Sequence, residues 1–220
     1  VNSAIQAQTL VLNNRPIAVD ADGFPQIIGL YSSVPQSGKS TLAVHARIAY
    51  NYAPMHFALP LKAMLGNLLK SLNPQFTEQD IYRRLYGDLK ESHVPFLEKS
   101  TRELMQTLGT DWGRNMVHPD LWVMAFDGAL RLTTPTLTKP RVIIDDLRFP
   151  NEFEYLHMKG GIVVRVTRLG QTLDTDHASE GALDDYPFDA HIMRPSGAIA
   201  DLQADFDTLL HTIRTQPQKD

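Results

Sequence analysis

Apolar residues in this chain fall into two rhythms: short unbroken runs, and longer stretches in which they recur at helical spacing. The runs Ile27-Ile28-Gly29-Leu30-Tyr31, Met55-His56-Phe57-Ala58-Leu59, Arg141-Val142-Ile143-Ile144-Asp145-Asp146 and Gly161-Ile162-Val163-Val164-Arg165-Val166-Thr167 predict strands, with Ala190-His191-Ile192-Met193 as a weaker fifth. Between them lie helical patterns. Lys39 to about Asn51 is one. Pro60, favourable in a first turn, opens another, in which Leu61, Met64, Leu65, Leu68, Leu69 and Leu72 share a face until Asn73-Pro74 stops it. A last helix aligns Ile199, Leu202, Phe206, Leu209, Leu210 and Ile213. Strands alternating with helices imply an α/β fold with a central parallel sheet of about five strands, covered on both sides.

Local signals add boundaries. Thr77-Glu78-Gln79-Asp80 and Ser100-Thr101-Arg102-Glu103 have the hydroxyl-x-x-acid spacing of a capping box, so a helix should start at each. Pro119-Asp120 begins a helix toward Leu132, Thr133 to Pro140 reads as a loop, and Asn151 to His157 is a helix closed by Lys159-Gly160-Gly161. Residues 1–25 are polar apart from Thr9-Leu10-Val11-Leu12 and Pro16-Ile17-Ala18-Val19, which flank Asn13-Asn14-Arg15 as the arms of a hairpin would; they read as an appendage. From Arg168 to Asp189 the chain carries Asp174, Asp176, Glu180, Asp184, Asp185 and Asp189 without periodicity, a loop long enough for a flap or lid over about 168–190. Its carboxylates should face solvent, leaving Arg165 or Arg168 at its base to supply the inward charge. His177 reads as a surface or hinge residue rather than a metal ligand.

Composition narrows the function classes. At 220 residues one domain is the default. Twenty-one Lys and Arg stand against 25 Asp and Glu, a net charge of −4 that gives no general drive toward nucleic acid or an acidic membrane. The absence of cysteine excludes disulfides, thiolate catalysis and thiolate-bound zinc. No apolar run is long enough to span a bilayer, and the first residues lack an export signal, so a soluble cytoplasmic protein is expected.

The chemistry starts after the first strand. Ser33-Val34-Pro35-Gln36-Ser37-Gly38-Lys39-Ser40-Thr41 is a phosphate-binding loop: backbone N–H groups cradle a nucleoside triphosphate, Lys39 reaches its outer phosphates, and the Ser40 hydroxyl ligates Mg²⁺. Ser33 stands where the pattern G-x-x-x-x-G-K-[ST] has glycine, so it must either accept glycine's torsions or turn the loop differently. Asp145 and Asp146 end a strand, where ligands bind in such sheets. One of them should serve Mg²⁺ or the acceptor while the other caps the next turn through Asn151; Arg148 points into the same crevice. Lys62, Arg83, Arg84, Arg102 and Arg114 add positive charge in the helical middle. Arg83 and Arg84 read as a solvated helix face, whereas Arg102 and Arg114 flank Thr107-Leu108-Gly109-Thr110-Asp111-Trp112-Gly113, a shaped turn rather than a plain helix.

Ile28 to Thr41, Phe57-Ala58-Leu59-Pro60-Leu61-Lys62, Thr101 to Arg114, Asp146-Leu147-Arg148-Phe149-Pro150-Asn151-Glu152 and His177-Ala178-Ser179-Glu180 together resemble the deoxynucleoside monophosphate kinases encoded by bacteriophages. The phosphate loop is shared by many enzymes; the D-x-R-F-x-N-E and H-x-S-E stretches are more specific. The resemblance runs from about residue 26 to the C-terminus and has no counterpart for residues 1–25. It implies a three-layer P-loop kinase fold over 26–220, with a helical monophosphate-binding region over about 60–132 and a lid. ATP with Mg²⁺ is the implied donor and a deoxynucleoside monophosphate the acceptor, in the host cytoplasm if phage-encoded. Ser33, Gln36, Ser37, Gly38, Lys39, Ser40, Thr41, Arg165 and Arg168 are then expected on the donor, and Ser40, Asp145 and Asp146 at the metal. Lys39, Arg102, Asp146 and Arg148 are expected at the transfer, and Lys62, Arg102, Asp111, Trp112, Arg114, Arg148 and Glu152 on the acceptor. Two alternatives stand beside this: a P-loop kinase of another acceptor such as dephospho-coenzyme A, and a nucleotide-binding regulatory protein without transfer activity. No stable nucleic-acid partner is expected, a homodimer is left open, and the preferred base is not legible.

Overall fold

The computed structural model describes residues 15–95, 97–137, 140–170 and 181–215. The first arm of the expected hairpin, Thr9 to Leu12, and the His177-Ala178-Ser179-Glu180 stretch lie outside the described residues. Two units can be distinguished: residues 1–56 with 131–220, and residues 57–130.

The first unit is built on β1 (Ile27–Tyr31), β2 (Ala53–Met55), β5 (Val142–Ile144), β6 (Ile162–Leu169) and β7 (Ala190–Pro195). They form one sheet in the order β2-β5-β1-β6-β7, parallel at every junction. The interior strands are apolar on both faces because helices cover both. On one side α1 (Lys39–Tyr50) and α7 (Ile199–Thr215) bury Leu42, Ala46, Phe206 and Leu210 against Ile28, Leu30 and Val164. On the other, α6 (Pro150–Met158) buries Phe153 and Leu156. This is the expected three-layer α/β arrangement. The second strand is placed differently from the sequence expectation: β2 ends at Met55, and Pro54 is tolerated because β2 is an edge strand. Along α7 the stripe begins at Leu202, since Ile199 is exposed.

Residues 15–25 are built into this unit rather than appended to it. Val19 bridges Pro25, Phe24 enters the core, and Arg141 is held by Asp20 and Asp22 at 2.5 Å each while its guanidinium lies over the Phe24 ring. A second clamp centres on Asp189, 1% exposed. It accepts hydrogen bonds from Arg15 Nη2 at 2.8 Å and Val163 N at 2.7 Å, with His157 Nε2 at 2.9 Å. Asp184 likewise turns inward to Arg165. The expectation that the acids of the 168–190 stretch all face solvent therefore fails at these two, because each has a guanidinium partner.

Burial raises the Asp189 carboxyl, but hydrogen bonds from His157, Arg15 and the Val163 amide outweigh it and hold the group below its usual value. A depressed folded pKa gives stability that is complete above the unfolded value of about 4 and lost as pH falls through the folded value. Asp189→Asn should cost about 3 kcal/mol at neutral pH, by stranding buried partners. It should also flatten the acid limb of the stability curve, which urea unfolding at a series of pH values would measure.

The second unit is helical. It contains α2 (Leu59–Leu72), α3 (Glu78–Tyr86), the short antiparallel strands β3 (His93–Val94) and β4 (Lys99–Ser100), α4 (Thr101–Gln106), a π-helix (Thr107–Val117) and most of α5 (Leu121–Thr133). Both expected capping boxes are present, at Thr77 with Asp80 and at Ser100 with Glu103. The α2 stripe is narrower than its spacing implies. Leu61, Leu65 and Leu69 are buried, whereas Met64, Leu68 and Leu72 are exposed. Arg84, expected on a solvated face, is buried.

Candidate active site

The phosphate loop leaves the carboxyl end of β1, and α1 begins at Lys39. Its left-handed torsions fall at Gln36 (φ 55°) and Gly38 (φ 104°), not at Ser33. Ser33 therefore replaces the usual glycine without a torsional cost, and the loop turns at Gln36 instead. Gly38 is the position that requires glycine on two counts: its torsion, and a Cβ there would lie 2.6 Å from Leu202 Cδ2. Ser37 Oγ is buried without a hydrogen-bond partner, an orphaned donor within the loop. Lys39 Nζ sits 3.5 Å from the Ser32 carbonyl.

Asp145 follows β5, adjacent to β1 in the sheet. Its Oδ2 accepts the Ser40 hydroxyl at 2.7 Å, and its Oδ1 lies 3.0 Å from His56 Nδ1. Burial raises this carboxyl, but the bonds from His56 and Ser40 and the charge of Lys39 win and keep it below its usual value. The two oxygens are thus held from two sides. A hydroxyl and a carboxylate are hard oxygen donors suited to Mg²⁺, which keeps several waters and takes few protein ligands. Among the described residues no group of three His, Asp or Glu side chains gathers as a metal site.

His56 was missed in the sequence. Placing the strand at Met55 to Leu59 put it mid-strand; with β2 ending at Met55, it stands at the carboxyl end of a strand, where the rule that picked Asp145 applies. Glu152, expected on the acceptor, is 3% exposed and used internally. Its Oε2 accepts from Arg148 N at 2.8 Å and Phe149 N at 3.1 Å, so the acid seen holding the turn before α6 is Glu152. The turn it fixes carries Arg148 with an exposed side chain.

Beside the loop, a cavity of about 180 Å³ is lined by Gln36, Ser37, Thr41, Arg168, Arg194 and Ser196, among others. Arg168 approaches the Gln36 carbonyl at 3.5 Å and donates to Ser196 Oγ. Arg165 instead pairs with Asp184 at 2.6 Å, beneath the stacked rings of Tyr31 and Phe188. Burial and the neighbouring Asp184 push the Tyr31 phenol up to about 12.

In the helical unit, the stretch expected to be a shaped turn is a π-helix, in which His118 N donates to Gly113 O at 3.0 Å. Such wide turns concentrate at functional sites. Trp122 Nε1 donates to Gly109 O at 2.8 Å, and its ring lies against Gly113, where a Cβ would come within 2.7 Å of it. Gly113→Ala should therefore lower stability by about 1–3 kcal/mol and change tryptophan fluorescence, read by thermal unfolding. Asp111 and Trp112 are exposed. Arg102 pairs with Glu91 at 2.5 Å, Arg114 donates to Pro119 O at 3.3 Å, and Lys62 Nζ stands 4.0 Å from the Tyr86 ring centroid.

A three-layer α/β fold with a phosphate-loop motif after its first strand is the class these features define. Residues 97–205 match the family Deoxynucleotide monophosphate kinase. The chain is 31% identical over 121 residues to the deoxynucleoside-5′-monophosphate kinase of Escherichia phage T5, an alignment covering 52% of this chain and 44% of that protein. It is 28% identical over 154 residues to a protein of Acanthamoeba polyphaga mimivirus provisionally named deoxynucleotide monophosphate kinase, covering 66% of this chain and 75% of the other. The chain thus spans less than half the length of the phage T5 relative. Among solved structures, a dephospho-CoA kinase from Campylobacter jejuni aligns with a TM-score of 0.43 and 13% identity, over 86% of this chain and 97% of that one. Over residues 97–205 the chain is thus similar to the deoxynucleotide monophosphate kinase family, and the two viral relatives are similar over longer stretches. Among the described residues no helix is long and apolar enough to cross a membrane.

Proposed function

We propose that this protein transfers the γ-phosphoryl group of ATP to the 5′-phosphate of a deoxynucleoside monophosphate, forming ADP and the deoxynucleoside diphosphate. The observation that carries the reading is the linked trio of Lys39, Ser40 and Asp145 at the carboxyl ends of β1 and β5, in a chain whose relatives bear that activity in their names. The acceptor phosphate oxygen is itself the nucleophile, so the protein's task is alignment and charge neutralisation.

Lys39 and the loop amides hold the donor's outer phosphates, with Ser37 Oγ available as a further donor. Ser40 and Asp145 would hold Mg²⁺, which when bound offsets charge on the triphosphate. The cavity bordered by Thr41, Arg168, Arg194 and Ser196 adjoins the loop and suits the donor's base and sugar. Arg148, on a turn fixed by Glu152, is the proposed guanidinium at the transferring group. Arg102 and Arg114 are proposed on the acceptor; Arg102 would exchange the exposed Glu91 for a phosphate, an inexpensive exchange because surface pairs contribute about 1 kcal/mol or less.

Arginine matters at these positions for its planar fork. Arg148→Lys, Arg102→Lys and Arg114→Lys are each expected to lower kcat/KM by about tenfold or more, the energy of one charge-assisted hydrogen bond. A rise confined to the KM of the deoxynucleotide assigns a residue to the acceptor. Full activity in all three would remove them from the site. The reading as a whole is tested by coupled ADP detection across deoxynucleoside monophosphates, ribonucleoside monophosphates and dephospho-coenzyme A. Turnover with a deoxynucleoside monophosphate is expected; turnover with dephospho-coenzyme A alone, or with none, would overturn it.

A further inference from the structure

Arg84 lies on α3 with only 9% of its surface exposed. Its guanidinium carries five N–H donors and keeps its charge inside a protein. Among the described residues it meets one hydrogen-bond acceptor, the His93 carbonyl, at the outer limit of 3.5 Å, and the Phe76 ring, whose centroid is 4.6 Å from Cζ. Nε is buried with no partner. The neighbouring acids are engaged elsewhere. Asp80, one turn earlier, feels the charge of Arg84, but its Oδ2 accepts from Thr77 N and Thr77 Oγ1. Asp88 is taken by Arg83 at 2.5 Å.

A second orphan opens α4, directly after the β3–β4 pair. Thr101 is fully buried and its Oγ1 has no partner. It follows Ser100, which pairs across β3 and β4 with His93, the residue whose carbonyl Arg84 approaches. A buried guanidinium without a counter-charge is strongly unfavourable. An oxyanion is the partner such a guanidinium lacks, taking a fork of hydrogen bonds from it, and a buried hydroxyl can add one more.

We propose that Arg84, joined by Thr101, binds the phosphate group of the acceptor nucleotide. The proposal rests on the function argued above and assigns part of its acceptor site to residues that sequence reading placed on a solvated face.

The test pairs binding with stability in Arg84→Met, which keeps the apolar stem and removes the charge, and in Arg84→Lys, which keeps the charge and removes the fork. Affinity for deoxynucleoside monophosphates, for the corresponding deoxynucleosides and for inorganic phosphate is measured by calorimetry alongside the unfolding midpoint. The expected result is an Arg84→Met protein that unfolds at or above the wild-type temperature and binds the monophosphate about tenfold or more weakly, with deoxynucleoside affinity unchanged. Arg84→Lys should fall between. Inorganic phosphate should raise the wild-type midpoint and leave that of Arg84→Met unmoved. An Arg84→Met protein that fails to fold, or that binds monophosphate as the wild type does, overturns the proposal, since either shows a guanidinium already satisfied within the fold. Wild-type protein that binds phosphate through Arg84 but no deoxynucleoside monophosphate would instead contradict the proposed acceptor and, with it, the assignment of this site to that acceptor.

Discussion

Lys39→Ala is expected to reduce turnover by about a hundredfold or more while the far-ultraviolet circular dichroism and unfolding midpoint stay near wild type. Removing a preorganised charge from a transferring group typically costs about 3 kcal/mol or more of transition-state stabilisation. The fold should survive because Lys39 stands at the head of α1 outside the buried core, where its Nζ lies 3.5 Å from the Ser32 carbonyl. The turn that leads into α1 is shaped by the left-handed torsions of Gln36 and Gly38, with Leu202 packed beside Gly38. A folded variant with near-normal turnover would remove Lys39 from the chemistry. Steady-state kinetics on protein checked by circular dichroism decides it.

Asp145→Asn should be nearly as damaging, about a hundredfold in kcat, and should differ from Lys39→Ala in its dependence on Mg²⁺. The carboxylate is held on both oxygens, by Ser40 and by His56, and is kept below its usual pKa, so it is ionised across the working range. An amide keeps the shape and loses the charge. Raising Mg²⁺ should recover part of the activity of Asp145→Asn and none of that of Lys39→Ala. Asp146→Asn, run beside it, shows which of the adjacent acids the metal needs. Equal, Mg²⁺-independent losses at both positions would mean that neither holds the metal.

The sheet was legible because its strands are unbroken apolar runs, a pattern that burial on both faces enforces. The helix starts at Thr77 and Ser100 were legible because capping boxes use two side chains at fixed spacing. What failed to show was contact between distant parts of the chain. His56 was hidden by a strand boundary misplaced by a few residues, and nothing local says that Arg84 is buried or that Asp189 anchors Arg15 across the unit. The α2 stripe misled in the other direction: Met64, Leu68 and Leu72 fit the helical period but remain exposed, because periodicity records which face is apolar and not whether anything covers it. At the site, the phosphate loop was readable as a motif, whereas the role of Glu152 required seeing its carboxylate turned back on the amides of Arg148 and Phe149.

The central claim concerns where the phosphoryl group goes, and isotope tracing addresses it directly. The protein is incubated with ATP labelled with ¹⁸O in the γ-phosphoryl group and a deoxynucleoside monophosphate, and the products are read by mass spectrometry. The account expects the label in the β-phosphoryl group of a deoxynucleoside diphosphate, formed mole for mole with ADP. Label appearing only in inorganic phosphate, or no label leaving ATP, would contradict it.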